Sequence, residues 1–343
     1  MDRHRIPALF FAALRQCPDG AVPPATLDAL RNRDRAARLQ AFAQAQKTVQ
    51  LVRAFTAADI PVIPLKGVVL SQRLYSDFAV RHSKDIDLLV HPEDFDRAEA
   101  LLQERGFRRL PILPGLSPTP RQERYLRALN YHYEYVDAEG TQLELHWRRQ
   151  SCSAESMALL WAHTRTTQWM NTPFLELDDD VLLLFLCDHG AHHRWFRVKW
   201  LGDVAMLLAR RDPTAWDELF RRAATLDVER PLFQAMLLVQ WLYEVPLPPQ
   251  AQALITQDPA IHALAQDALE AIAGTEAEGL LQITSASRVR FFRQLRKRPD
   301  QGDAWRRLAL SPYDFRAMPL PDPLFWAYVP LRPFLWLWRH ARR

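Results

Sequence analysis

Residues 84–90, with the sequence KDIDLLV, contain the pattern that decides the fold of this chain. Carboxylates alternate with aliphatic side chains at its start, and its last three residues are all apolar. Because residues i and i+2 of a β-strand share one face, Asp85 and Asp87 are expected side by side, with aliphatic side chains in the core behind them. The sequence therefore predicts a buried strand that carries two carboxylates where it begins.

The segments around this strand predict further strands and helices. Residues 60–65 (IPVIPL) predict a strand that ends at Lys66-Gly67, and a helix is expected from Val68 to Tyr75. A second helix is expected from Glu93 to Arg105, because Gly106 is typical of the position that follows a helix. The order along this part of the chain is strand, helix, strand, helix.

A β-hairpin is expected farther along the chain, with strands over residues 131–136 and 141–147 and a turn at residues 137–140. In its second strand the apolar side chains share one face. Glu144 and His146 lie on the opposite face, together with Gln142. The hairpin therefore predicts another carboxylate beside the sheet.

The first 58 residues are predicted to be helical, residues 111–120 are expected to form a loop, and the pattern is helical again from Ser153 onward. We expect an α+β protein in which a small mixed sheet is combined with N-terminal helices and a large helical C-terminal region. The expected boundaries are N-terminal helices over 1–50, a sheet-containing core over 51–150, a helical domain over 151–285 and a basic, aromatic-rich tail over 286–343. Candidate helices after the hairpin are Val181–His193, Trp195–Arg211, Pro213–Thr225, Arg230–Tyr243 and Pro248–Ala273.

Composition excludes several classes of protein. Among 343 residues, 48% are hydrophobic and 24% charged, which excludes general disorder. The longest apolar runs, Ala8–Leu14 and Val181–Cys187, are much shorter than the roughly 20 residues of a transmembrane helix. No small-residue cleavage site follows the first run, so no signal peptide is expected. The three cysteines include no CxxC pair, and we expect a cytoplasmic protein without a disulfide framework.

The tail carries most of the positive charge. The net charge is +4, yet from Arg288 to the end there are 13 Lys or Arg against four Asp. A basic amphipathic helix is expected over Arg288–Arg298. One hypothesis is that the tail binds a polyanion or an anionic membrane surface. The other, favoured by the prolines between Pro319 and Pro333, is that its aromatic residues pack on the fold while its arginines stay in water.

The paired carboxylates indicate metal-dependent chemistry. Two adjacent carboxylates repel each other, and a divalent cation removes that cost. Mg²⁺ prefers one or two carboxylates together with water and phosphate oxygens, and two ions can hold the attacking and leaving oxygens of a transfer reaction. We expect two Mg²⁺ ions, with Mn²⁺ as an alternative, on Asp85, Asp87 and Glu144. Lys66-Gly67 and Arg81 are candidates for binding the phosphates of a nucleotide.

These motifs together resemble the uncharacterised nucleotidyltransferase family, within the polymerase-beta-like superfamily. Residues 143–147 (LELHW) look like its third-carboxylate strand, and residues 189–195 (HGAHHRW), with Trp200 and Asp203, are similar to its helical signature. Lys-Gly stands where most of the wider superfamily has Gly-Ser or Gly-Gly. The other matching residues are Leu65, Lys66, Gly67, Leu74, Tyr75, Arg81, Asp85, Asp87, Leu88, Leu89, Val90, Pro92, Asp94, Ala98, Leu102 and Gly106.

The resemblance implies that an acceptor hydroxyl attacks the α-phosphate of a nucleoside triphosphate and releases pyrophosphate. Asp85 and Asp87 would bind both ions, and Glu144 the ion on the side of the nucleophile. ATP is the default donor. The acceptor is left open among a small molecule, a peptide or protein, RNA and a lipid head group.

Two alternatives compete with this hypothesis. The chain can be a regulatory or interaction protein that keeps the fold without catalysis, although three intact carboxylates argue against it. It can also be a zinc hydrolase that uses His189, His193 and Asp203, since the two histidines have the i, i+4 spacing of zinc ligands on a helix. His146 and these three residues are otherwise candidates for substrate contacts in a cleft, or for packing between helices.

Overall fold

A computed structural model describes His4 and residues 6–18, 20–149, 154–274, 291–297 and 310–340. Its strands are β1 Val62–Pro64, β2 Asp85–Val90, β3 Arg108–Arg109, β4 His132–Val136, β5 Gln142–His146, β6 Thr164–Trp169 and β7 Thr172–Leu177. Its α-helices are α1 Pro7–Leu14, α2 Pro24–Ala57, α3 Gly67–Tyr75, α4 Phe95–Glu104, α5 Pro120–Leu129, α6 Ala154–Ala162, α7 Asp179–His192, α8 Val198–Ala209, α9 Trp216–Thr225, α10 Glu229–Tyr243, α11 Pro249–Gln257, α12 Pro259–Ala273, α13 Pro312–Ala317 and α14 Tyr328–His340.

The strands form two sheets. Five of them lie in the order β1-β2-β5-β4-β3, and β6 and β7 form a separate antiparallel hairpin. Strands β4 and β5 are antiparallel, with His132 opposite His146 and Glu134 opposite Glu144. The predicted α+β class is confirmed, because a small mixed sheet is combined with a majority of helical residues.

The chain divides into two compact units. The first comprises residues 1–87 and 152–299, and the second residues 88–151 and 300–343, so that β2 begins in the first unit and ends in the second. An aromatic cluster stabilises the second unit, where the Phe95 ring lies 4.7 Å from Trp147 and 5.8 Å from Tyr133 between centroids. The four regions expected from the sequence remain a proposal.

One predicted helical segment is a hairpin. Residues 164–177 were expected to be helical, and that expectation is wrong, because they form β6 and β7. The turn between the strands consists of Met170 and Asn171, whose φ angles are +49° and +52°. Two consecutive positive φ angles are the conformation of a type I′ turn, which matches the twist of a two-stranded hairpin. Threonine is frequent in the strands, as β-branched side chains favour extended backbone.

Another predicted helix is interrupted. The segment Pro248–Ala273 forms two helices, α11 and α12, because Pro259 lacks the N–H that a continuous helix requires. Asp258 begins the second of them, and its Oδ1 accepts a hydrogen bond from the Ala260 N–H at 3.2 Å.

Residues 310–340 of the tail pack on α5 within the second unit. Tyr328, which is fully buried, accepts hydrogen bonds from the Leu320 N–H (2.8 Å) and Gln122 Nε2 (3.1 Å) through its hydroxyl oxygen. Residues 328–340 form a helix although Pro333 lies inside it. The buried cluster comprises Leu116, Leu126, Leu310, Phe315, Phe325, Tyr328 and Leu335.

The basic helix expected over 288–298 is described only in part, since residues 288–290 and 298 lie outside the described residues. Residues 291–295 are helical, and Phe291 and Leu295 are buried. Within the described residues, no helix combines the length and the apolar character needed to cross a bilayer.

Candidate active site

The turn between β1 and α3 carries the first predicted site residues. The Leu65 N–H donates to the Asp87 carbonyl oxygen at 3.0 Å, which holds the end of β1 beside β2. Gly67, the first residue of α3, has a φ of +69°. Only glycine adopts this left-handed conformation without steric cost, so the sharp entry into α3 explains why the pair is Lys-Gly.

The two carboxylates of β2 lie close to this turn. The Asp87 side chain is 3% exposed, and the Lys66 Nζ lies 2.8 Å from its Oδ1. Asp85 is partly exposed at the beginning of the strand, and the Ser83 hydroxyl donates to its backbone carbonyl oxygen at 3.1 Å. The structure therefore brings Lys66, Gly67, Asp85 and Asp87 together within the first unit.

These four residues line a small cavity. Gln44 and Thr48 of α2 also line it. Its volume of about 10 Å³ is enough for a single water molecule or a small ion, and far too small for a nucleotide. Nothing in the local sequence pointed to Gln44 and Thr48, which lie about 40 residues before Asp85 and Asp87 in the chain.

The donor chemistry of this group fits Mg²⁺. Carboxylate oxygens are the ligands that Mg²⁺ prefers, and Asp85 and Asp87 provide two of them on one strand. The Lys66 ammonium already neutralises the buried Asp87 carboxylate, which shows that this position attracts a cation.

Arg81 has a different environment from the one expected. Its side chain is 2% exposed, and its Nε lies 2.9 Å and 2.7 Å from the two carboxylate oxygens of Asp203, which is fully buried. Burial lowers the pKa of Arg81, but the charge of Asp203 and the hydrogen bond to it, together with nearby Tyr75 and Asp87, raise the pKa above its usual value. The Tyr75 hydroxyl donates to Asp203 at 3.1 Å. Arg81 thus fixes the segment before β2 to α8, and its contact with a nucleotide remains a prediction.

Glu144 and His146 lie on β5 in the second unit. His146 is buried, and its Nε2 lies 3.1 Å from Glu144 Oε2. His132, on β4, places its Nε2 3.9 Å from the same oxygen. The sequence did not single out His132, whose position opposite His146 depends on the register of the hairpin. The role of Glu144 as third carboxylate remains a prediction.

The histidines of α7 do not form the zinc site considered above. The rings of His189 and His193 lie 5.1 Å and 5.3 Å from that of Trp200, and 4.7 Å from each other. Asp203 is engaged by Arg81. Throughout the described ranges, the one group of three or more His, Cys, Asp or Glu residues with metal-ligand spacing is His132, Glu144 and His146. The zinc-hydrolase hypothesis is therefore wrong in its choice of ligands.

The segment around these histidines has a packing role. A Cβ on Gly190 would lie 2.2 Å from the ring of Trp195, so only glycine fits there. Trp195 is fully buried, and its Nε1 donates to Gln234 Oε1 at 3.2 Å. Arg194 is bound to Asp267, with its Nε 2.6 Å from Oδ2. These contacts attach the end of α7 to α10 and α12.

A family model described as uncharacterised nucleotidyltransferase matches residues 1–244, more than two thirds of the chain. No curated protein matches this chain. The resemblance found in the sequence is thereby confirmed for the region that contains Lys66, Asp85, Asp87 and Glu144.

Solved structures of nucleotidyltransferases are similar at low identity. The solution structure of the antibiotic-resistance factor ANT(2'')-Ia has 12% identity and a TM-score of 0.38, covering 54% of this chain and 91% of its own. The crystal structure of ANT(2'')-Ia with adenylyl-2''-tobramycin has 13% identity and a TM-score of 0.37, covering 53% and 96%. An antigenic nucleotidyltransferase-like protein from Paracoccidioides brasiliensis has 13% identity and a TM-score of 0.34, covering 64% and 91%. Likenesses this weak carry no argument about substrate.

Proposed function

Because this chain belongs to the uncharacterised nucleotidyltransferase family, we propose that it transfers a nucleoside monophosphate from a nucleoside triphosphate to an acceptor hydroxyl. The observation that carries the proposal is the position of Asp85 and Asp87 at the start of β2, beside the Lys66-Gly67 turn. At this turn, two carboxylates, a lysine and the N-terminus of a helix come together.

The reaction makes one bond and breaks one bond. The acceptor oxygen bonds to the α-phosphorus, the bond from that phosphorus to the bridging oxygen of the β-phosphate breaks, and pyrophosphate leaves with the bonding electrons. A base receives the hydroxyl proton, and Glu144 is the carboxylate we propose for this step. Bound at Asp85 and Asp87, Mg²⁺ or Mn²⁺ would supply the positive charge that stabilises the phosphate oxygens.

Lys66 has two tasks in this proposal. Without a metal ion, its ammonium neutralises the buried Asp87 carboxylate at 2.8 Å. With an ion bound there, the same side chain would turn toward the phosphates of the donor. Gly67, which starts α3 without a side chain, lets a phosphate approach the backbone and the N-terminus of the helix.

Arg81 and the α7 histidines contribute indirectly. The buried ion pair of Arg81 with Asp203 holds the segment that leads into β2, so we assign Arg81 a positioning role. His189 and His193 pack against Trp200, which lies in α8 like Asp203, and support that helix. The expected nucleotide contact of Arg81 is therefore not needed for the proposed reaction.

The proposed setting is the cytoplasm, where nucleoside triphosphates are available. The donor base and the acceptor are to be found by mass spectrometry of small metabolites, peptides or proteins, and RNA after incubation with the enzyme, Mg²⁺ and each of the four triphosphates. We expect one class of acceptor to gain the mass of a nucleoside monophosphate. Asp87→Asn and Asp85→Asn should abolish that gain. A mass gain that both variants retain would contradict the proposal.

A further inference from the structure

Three potential metal ligands share one face of the β4–β5 hairpin. His132 lies directly opposite His146, and Glu144 precedes His146 by two residues, so all three side chains are on the same side of the sheet. The other face carries buried apolar residues, including Leu143 and Leu145. The register of the hairpin therefore creates the cluster, which lies wholly within the second unit.

The spacing within the cluster suits one metal ion. One nitrogen or oxygen from each side chain lies within 4.8 Å of the other two. His146 Nε2 and Glu144 Oε2 are 3.1 Å apart, and His132 Nε2 is 3.9 Å from the same oxygen. Ligand bonds of about 2.0–2.2 Å place neighbouring donor atoms roughly 3–3.5 Å apart. Small side-chain rotations are thus enough to bring all three donors to one ion.

The environment favours a cation and fixes the imidazoles. Glu134 lies directly opposite Glu144, and two like charges in this position repel each other. The ring of Tyr131 packs on both histidines, with centroids 4.5 Å from His132 and 5.9 Å from His146. Packing of this kind restricts the rings before an ion arrives, which is how surrounding residues orient metal ligands.

Partial exposure leaves room for a further ligand. The side chain of His146 is 6% exposed, while those of His132 and Glu144 are 20% and 24% exposed. An ion bound by the three residues would therefore be anchored on the buried side and open on the other. An open coordination position is the property that separates catalytic from structural metal sites.

We propose that His132, Glu144 and His146 bind a transition-metal ion of the Mn²⁺, Co²⁺ or Zn²⁺ type. Two imidazoles and one carboxylate favour such an ion over Mg²⁺, which prefers oxygen ligands only. The proposal goes beyond the proposed function, because it names a site with different chemistry that needs neither Asp85 nor Asp87.

The test is a titration of the tag-free, chelator-treated full chain with Co²⁺ alone, followed by its visible d–d absorption. We expect one equivalent of Co²⁺ to bind. Its absorption spectrum should indicate coordination of lower symmetry than that of aqueous Co²⁺. His132→Gln and His146→Gln should each weaken binding by roughly 100-fold or more, at the upper end of losses at metal sites. His163→Gln is the matched control, because it removes another histidine–carboxylate pair, His163–Asp178 at 2.9 Å.

Two results would overturn the proposal. One is unchanged Co²⁺ affinity in both histidine variants. The other is loss of the absorption band in Asp87→Asn, which would assign the ion to the carboxylates of the first unit. Circular dichroism verifies that each variant is folded, and if the buried His146 cannot be replaced, the partly exposed His132 decides the outcome. Because the experiment measures metal binding, a failure of the proposed transfer reaction would leave its result unaffected.

Discussion

A single ion pair explains how the Asp87 carboxylate is stabilised in its buried position. Asp87 is 3% exposed and Lys66 is 9% exposed, and their charged atoms are 2.8 Å apart. A carboxylate buried to this degree is costly to ionise unless a positive charge accompanies it. Lys66 supplies that charge in the metal-free protein, and a bound cation would replace it.

The Lys66–Asp87 pair makes stability depend on Mg²⁺ in a specific variant. Lys66→Ala should lower the free energy of unfolding by about 3–5 kcal/mol in chelator, because it leaves the Asp87 charge buried without a partner. Added Mg²⁺ should restore a large part of that loss, since it takes the place of the ammonium. Urea denaturation with and without Mg²⁺ measures both effects.

Lys84 provides the control for this prediction. It is exposed and lies three residues before Asp87, so Lys84→Ala should change stability by no more than about 0.5 kcal/mol under either condition. If Lys66→Ala behaves like Lys84→Ala, the ion pair does not contribute to stability, and the proposed exchange of lysine for a metal ion is wrong.

At the level of single elements, α7 depends on one glycine. Gly190→Ala should destabilise the protein by roughly 1–3 kcal/mol, because the new methyl group would lie 2.2 Å from the buried Trp195 ring, which must move. Gly202→Ala in α8 is the matched control. Its Cβ would meet only ordinary contacts, 3.5 Å from Tyr243 and 3.6 Å from Tyr75, and alanine favours a helix. Thermal unfolding should show a lower Tm for Gly190→Ala, and a higher or unchanged Tm for Gly202→Ala.

The helix α14 has a packed side and an exposed side that can be tested separately. Leu335 is 5% exposed within the cluster that covers α5, whereas Leu337 is 58% exposed. Leu335→Ala should cost about 2–5 kcal/mol, and Leu337→Ala less than about 0.5 kcal/mol. Equal effects in urea denaturation would mean that the tail does not pack on the fold, and would return attention to a polyanion-binding tail.

The elements also show which structures the sequence alone can predict. Strand β5 is predictable because polar and apolar side chains alternate along it, and β2 because two carboxylates alternate with aliphatic residues before a wholly apolar end. The hairpin of β6 and β7 is missed because β6 is largely polar and the turn, Met170-Asn171, lacks glycine. In α14, Pro330 lies in the first turn, where a backbone N–H has no helical partner, so a general rule against proline fails there.

In the candidate site, too, some features can be predicted from the sequence and others cannot. Asp85, Asp87 and the Lys66-Gly67 turn follow from local patterns, and the family model covers all of them. The ion pair of Arg81 joins residues 122 positions apart, and no local pattern contains that information. Contacts of this kind depend on how helices pack, which a single sequence does not specify.

For the whole molecule, buried tyrosines predict a loss of stability at high pH. Burial, followed by the charges of Asp203 and Glu99, raises the pKa of Tyr75 and Tyr135 above the usual value of about 10. The contribution of these tyrosines to the free energy of unfolding is complete below pH 10 and is lost above it. Above pH 10 the unfolded chain releases protons that the folded chain retains. Each tyrosine should lower the free energy of unfolding by up to about 1.4 kcal/mol per pH unit.

Urea denaturation between pH 9 and 12 measures this slope, and Tyr135→Phe should make it shallower. Tyrosinate absorbance supplies a second observation, because the buried hydroxyls should ionise only as the chain unfolds. Ionisation of all eight tyrosines in the folded protein would contradict the prediction.

The central claim, transfer of a nucleoside monophosphate through Asp85 and Asp87, is tested most directly with the donor labelled in two positions. The acceptor pool, Mg²⁺ and the enzyme are incubated in parallel with triphosphate labelled at the α-phosphorus or at the γ-phosphorus. We predict that the α label enters the acceptor, that the γ label appears in pyrophosphate, and that Asp87→Asn abolishes both. Entry of the γ label into the acceptor, or α-label transfer by Asp87→Asn at the wild-type rate, would contradict the claim.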